Sequence, residues 1–236
     1  MSPPTSHRGA PLPLNEAERL DVLRAYRILD TEAEADFDDL VEVASEVLGT
    51  PIALISLVDE RRQWFKARRG LEVRETPRDQ AFCAHAILGT ETMIVEDASL
   101  DERFRENPLV TGEPGIRFYA GTPLVTREGM SLGTLCVIDR TPRLRPELDP
   151  AQLRVLEALG RQAVRMLELR RTSAELAEAL SRVKLLAPLV PICAWCRKVR
   201  DDGDYWSELD AYLAQHAGVE ITHGICPGCS ERFLSE

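Results

Sequence analysis

The apolar positions change period twice along the first half of the chain. Leu20, Leu23, Tyr26 and Ile28 fall at near-helical spacing behind Asn15-Glu16-Ala17-Glu18, where an acceptor stands at the cap and a carboxylate three residues on. Order is therefore expected to begin at Asn15, with a helix. A second amphipathic helix is expected from about Phe37 to Leu48, stopped by Gly49. The period then shortens to that of strands. PIALISLVD is a short apolar run rich in β-formers, Asp59 to Arg62 is a polar connection, and QWFKARRG reads as its partner strand. DQAFCAHAIL follows Pro77 as a short helix, TMIVED as a strand, and ASLDERFRENPLVTGEPG as a turn-rich loop. IRFYAGTPLVT and SLGTLCVID, joined by the REG turn, close the pattern as a hairpin.

Five or six strands with helices before, between and after them predict an α+β domain over residues 15–143, an antiparallel sheet packed on helices. The first 14 residues carry four prolines and no periodicity, and read as a mobile arm. At Asp149-Pro150 the pattern becomes helical again, because proline suits a first helical turn. No further proline occurs before Pro188, which leaves room for a helix over about 150–187, roughly 55 Å long at about 1.5 Å per residue. With Leu159 taken as heptad position a, the a and d sites are Leu159, Gln162, Met166, Leu169, Ser173, Leu176, Leu180, Val183 and Ala187. Seven of these nine are apolar, the pattern of a two-stranded coiled coil and hence of a homodimer.

Composition narrows the function classes. The 236 residues are 44% apolar and 29% charged, enough for one main core and a smaller satellite. No apolar run approaches the roughly 18 to 20 residues of a membrane span, and the opening residues lack a signal-peptide core, so a cytoplasmic location is expected. A net charge of −10 disfavours sequence-independent binding to nucleic acid or anionic membranes. The basic stretch RRQWFKARR reads as a solvated hairpin over core aromatics rather than a stacking surface.

Six cysteines divide unequally. Cys83 and Cys136 stand singly inside the first domain, while Cys193, Cys196, Cys226 and Cys229 form two C-x-x-C pairs separated by residues 197–225. Two such turns complete a tetrahedron of thiolates, which predicts a structural zinc site with all four cysteines as ligands and a metal-organised module over 191–236. Four thiolates on a divalent ion leave a charge of −2, which Arg197, Lys198 and Arg200 are placed to offset. Disulfides conflict with a reducing compartment, and a thioredoxin-type pair needs only one C-x-x-C. Iron is the competitor, since Cys-Pro-Gly-Cys at this spacing is similar to rubredoxin, but Arg197-Lys198 replaces that family's glycine turn. His223 reads as a neighbour of the site rather than a ligand.

AFCAHAI, NPLVTGEPGIRFYAGTPLVT and SLGTLCVIDRTPR, within the segment from about Asn15 to Arg143, resemble bacterial GAF domains. That resemblance implies a sensor of a small molecule or redox state, and candidate pocket residues Trp64, Phe82, Cys83, His85 and Tyr119. ICAWCRKVRDDGDYW with HGICPGC is similar to a cysteine-rich extension at the ends of some bacterial signalling proteins. The cyclic-nucleotide signature of GAF domains is missing, and Cys83-Ala84-His85 departs from the Cys-His pair of bilin-binding members. A methionine sulfoxide reductase with Cys83 as nucleophile and Cys136 resolving is an alternative, as is a nucleic-acid adaptor using the zinc module. No P-loop, kinase or G-x-S-x-G motif occurs. The expectation is a dimeric, non-enzymatic signalling protein that relays a ligand state through the helix to a partner-docking tail.

Overall fold

The computed structural model describes residues 9–144, 149–185, 192–200 and 206–216. It divides into one unit up to Ala177 and a second from Glu178 onward. The first unit opens with α1 (Glu16–Ala25) and α2 (Ala35–Leu48), the latter ended by Gly49 at φ 61°, a left-handed cap that costs glycine little. The expected capping box does not form. Asn15 makes no side-chain cap; its Nδ2 donates instead to Met130 Sδ at 3.1 Å, which ties the helix start to a hairpin turn. Part of the expected arm is also placed: Ala10 packs against the outer hydrophobic cluster.

Six antiparallel strands follow: β1 (Ile52–Val58), β2 (Arg62–Arg69), β3 (Glu75–Pro77), β4 (Met93–Val95), β5 (Phe118–Val125) and β6 (Ser131–Asp139). Their spatial order is β3-β2-β1-β6-β5-β4, so the two most apolar strands, β1 and β6, lie side by side at the centre. β3 was not anticipated; three residues carry too little periodicity to read as a strand. Between β3 and β4 comes α3 (Phe82–Ala86), and before β5 the single turn α4 (Pro108–Thr111), whose cap Asn107 accepts from the Leu109 N–H at 2.9 Å.

The sheet is buried on both faces, which is why β1 and β6 read as continuous apolar runs. On the inner face Ala53, Ile55, Leu57, Leu135 and Val137 pack with Leu23, Phe37 and Val41 from α1 and α2. The helix α5 (Pro150–Leu185) covers the same face with Leu156, Ala163 and Leu167. Asp149 caps α5, its carboxylate accepting from the Ala151 N–H at 2.7 Å. On the outer face Leu54, Ile138 and Cys136 pack with α3, Phe104 and Val110. The pairing of β1 with β2 slips at Ile55/Ser56, so that Lys66 is an extra residue in β2. Its ammonium is buried and held by Glu34 at 2.6 Å and the Glu32 carbonyl at 2.7 Å.

In the second unit, β7 (Val199–Arg200) pairs antiparallel with β8 (Trp206–Ser207), followed by α6 (Leu209–His216). Trp206 is engaged in the ladder opposite Arg200, and α6 starts three residues after it. Among the described residues, no helix is long and apolar enough to cross a membrane.

Candidate functional site

The outer face of the sheet encloses a cavity of about 540 Å³. Its floor is Leu54, Phe65 and Ile138 from the strands, its walls are Phe82 and Cys83 from α3 and Tyr119 from β5, and Leu109 and Ile116 close the side nearest α4. Two polar side chains enter this apolar space. Gln63 is 5% exposed, and neither its Oε1 nor the Thr76 hydroxyl has a hydrogen-bond partner among the described residues. Buried polar atoms without partners cost on the order of 1–3 kcal/mol each. The exposed residues Glu72, Glu113 and Arg140 stand at the mouth.

α3 is held over the sheet by aromatic packing. Phe82 stacks on Phe104 with centroids 3.9 Å apart and leans against Tyr119 at 5.3 Å, while His85 sets its ring against Phe104 at 4.8 Å. Beneath it lies a compact cluster around one sulfur. Cys83 Sγ accepts from the Thr134 hydroxyl at 2.9 Å and the Tyr119 hydroxyl at 3.4 Å, and stands 3.8 Å from Cys136 Sγ. Period-2 alternation on β6 places Thr134 and Cys136 on one face. Tyr119 reaches the sulfur because residue 121 is glycine: a Cβ there would lie 2.1 Å from the Tyr119 hydroxyl.

Burial opposes charge on Cys83, but donors from Cys136, Thr134 and Tyr119, with Ser56 close by, outweigh it and draw the thiol down from 9.0 to about 7. Ser56 Oγ itself is buried and makes no hydrogen bond among the described residues. Cys136 is pushed well up, chiefly by its hydrogen bond with Cys83 and then by burial. Burial, and then the two sulfurs, raise Tyr119 as well. The pair is thus polarised, with Cys83 the proton-poor partner.

Of the five pocket residues expected from sequence, Phe82, Cys83 and Tyr119 meet at the cavity. Trp64 and His85 do not line it. Trp64 pairs with Leu57 and packs into the inner core, whereas its neighbour Phe65, opposite Ser56, faces the cavity. Adjacent strand residues point to opposite faces, so only one of the two aromatics could line it. Gln63, Thr76, Gly121 and Thr134 were not anticipated. The alternation that puts Gln63 with Phe65 was present in the sequence, but the face towards the cavity was not.

In the second unit, the first C-x-x-C turn has the form of a metal-binding knuckle. The Cys196 N–H donates to Cys193 Sγ at 3.5 Å, and the Cys193 N–H donates to the Lys198 carbonyl at 2.8 Å. Arg197 takes the left-handed conformation at φ 62°, the conformation that glycine adopts most readily. The Cys193 thiol is drawn down, first by the Cys196 N–H and then by that of Trp195. Two cysteines in one turn, with a backbone N–H directed at the first sulfur, fit a metal ligand pair. Cys226 and Cys229, and His223, lie outside the described residues.

The GAF domain profile matches residues 32–167, and the chain belongs to the GAF family. A cyclic di-GMP phosphodiesterase of Pseudomonas aeruginosa is 52% identical over 133 residues, 56% of this chain and 23% of that protein. The match thus spans about a quarter of that relative's length. This corrects the expectation of a non-enzymatic protein, since a relative at 52% identity bears the name of an enzyme. Among solved structures, the GAF domain of an Acinetobacter phosphoenolpyruvate-protein phosphotransferase is similar at 21% identity and TM-score 0.48, covering 67% of this chain and 98% of that one. A type II free methionine-R-sulfoxide reductase from Thermoplasma acidophilum gives 10% identity and TM-score 0.46, covering 56% and 90%.

Proposed function

We propose that the GAF unit is the sensory input of a signalling protein, and that the cavity on the outer face of its sheet receives a small molecule. The observation that carries this reading is the pair of buried oxygens, Gln63 Oε1 and Thr76 Oγ1, without hydrogen-bond partners among the described residues, in a mainly apolar space of about 540 Å³. Gln63 Oε1 can only accept, so the ligand is a mostly apolar molecule that presents an N–H or O–H donor. Two carboxylates against one guanidinium at the mouth favour a neutral or weakly cationic ligand. The identity to a segment of a cyclic di-GMP phosphodiesterase supports a place in bacterial signalling, with second-messenger turnover as one output such an input would control.

The output runs through α5. Its first half packs on the sheet, while Leu169, Leu176 and Leu180 are 68%, 59% and 55% exposed on one heptad stripe. Two such stripes would cover one another in a homodimer. A ligand that binds two states of the cavity unequally would then bias the helix pair. The tail, organised by zinc on Cys193, Cys196, Cys226 and Cys229, docks a signalling partner in this scheme; the knuckle geometry of the first cysteine pair supports the metal.

The test is a thermal-shift screen of aromatic heterocycles bearing ring N–H groups, followed by native mass spectrometry of freshly purified protein. Compounds should stabilise the wild type, and Gln63→Leu and Leu71→Trp, the latter filling the cavity that Leu71 also lines, should both abolish the shift while remaining folded. A shift that persists undiminished in both variants would place binding elsewhere.

A further inference from the structure

The Cys83–Cys136 pair is built in a way that ligand sensing does not require. A resting buried thiol needs one acceptor for its own proton. Instead, two hydroxyl donors and the Cys136 thiol converge on Cys83 Sγ, an arrangement that suits an acceptor sulfur, meaning a thiolate. Gly121 is left bare so that the Tyr119 hydroxyl can occupy the space beside it. Cys83 is among the residues that line the cavity and Cys136 is not, so the first cysteine is the one nearer a solute in the cavity.

We propose that Cys83 and Cys136 form a hydroperoxide-reactive dithiol that closes to an internal disulfide. The Cys83 thiolate attacks one oxygen of a hydroperoxide, ROOH, that enters the cavity. The S–O bond forms as the O–O bond breaks, and the leaving alkoxide takes a proton to become ROH. Cys83 is then a sulfenic acid. The Cys136 sulfur attacks it as its proton is lost, the S–S bond forms, the S–O bond breaks, and the hydroxyl leaves as water. In sum, ROOH and two thiols give ROH, water and a disulfide: the peroxide is reduced by two electrons and the sulfur pair oxidised by two. The present separation of 3.8 Å must shrink to about 2.05 Å. In a close-packed interior that draws α3 towards β6, moving the wall formed by Phe82 and Cys83 and removing the sulfur acceptor from Tyr119. The chemistry stands whether or not the cavity also binds a resident ligand.

The reduced full-length protein, treated with a few equivalents of hydrogen peroxide under native conditions, then alkylated in denaturant and digested, tests this. A Cys83–Cys136 linked peptide, lighter by about 2 Da than the sum of the two thiol peptides, supports it. In Cys136→Ser, which leaves the side-chain volume nearly unchanged, Cys83 should stop at a sulfenic acid captured by dimedone. The yield should rise with pH through about 7, the position to which the cluster draws the Cys83 thiol. At pH 7 a thiol titrating there holds about 50-fold more thiolate than one at 9.0. Recovery of both thiols fully alkylated from the wild type would overturn the proposal without recourse to any variant. So would linkage of Cys83 to a carboxy-terminal cysteine instead, or sulfenylation of Cys136 before Cys83.

Discussion

Replacing Glu16 by glutamine tests how α1 is fastened to the sheet. Arg19 is 1% exposed, and its guanidinium donates to Glu16 at 2.7 and 2.8 Å and to the Val58 carbonyl at 2.7 Å. Arg78 donates to the same carboxylate at 2.5 Å. Burial by itself would raise the Glu16 carboxyl; the hydrogen bonds from Arg19 and Arg78 outweigh it and hold the group at about 2 rather than 4.5. At about 1.36 kcal/mol per pH unit, that is a contribution on the order of 3 kcal/mol. The depressed value fixes its sign: the contribution is complete above about pH 4.5 and disappears as pH falls through about 2. Urea denaturation of the wild type and Glu16→Gln should differ by about 3 kcal/mol at pH 7, from the lost charge pairing and the two guanidinium groups left behind, and should converge towards pH 2. A constant difference from pH 7 to pH 2 would show that packing, not the ionised carboxylate, makes the bond, and would refute the reasoning.

Gly121→Ala would place a methyl group 2.1 Å from the Tyr119 hydroxyl, so destabilisation by about 1–3 kcal/mol is expected, with loss of the Tyr119–Cys83 hydrogen bond; thermal denaturation reads the first and the Cys83 titration the second. Sedimentation velocity should find a dimer for the wild type and a folded monomer for Leu176→Glu combined with Leu180→Glu, and an unchanged sedimentation coefficient would exclude the exposed stripe as the interface. Elemental analysis of protein purified without added metal should find one zinc per chain, reduced to a trace in Cys193→Ser. One iron per chain would assign the four sulfurs to a rubredoxin-type centre instead.

The secondary structure was legible wherever a period was sustained. α2, β1, β5, β6 and α5 each bury a regular stripe or a mainly apolar run, and such patterns are local properties of the chain. β3 and α4 are too short to carry a period, and their places come from pairing with β2 and from the Asn107 cap. The capping box at Asn15 was a local pattern overridden by a distant partner, since Asn15 turns its side chain to Met130.

The residues themselves thus dictated an antiparallel α+β domain, a long following helix and two thiol pairs, because period and spacing need no knowledge of distant neighbours. Only tertiary structure decided which face of β2 meets the cavity, through the pairing of Phe65 with Ser56 and Trp64 with Leu57. Only it brought Cys83 to within 3.8 Å of Cys136, two cysteines 53 positions apart on different elements. Both outcomes depend on strand order and on the packing of α3 across the sheet, which are set by non-local pairing and burial.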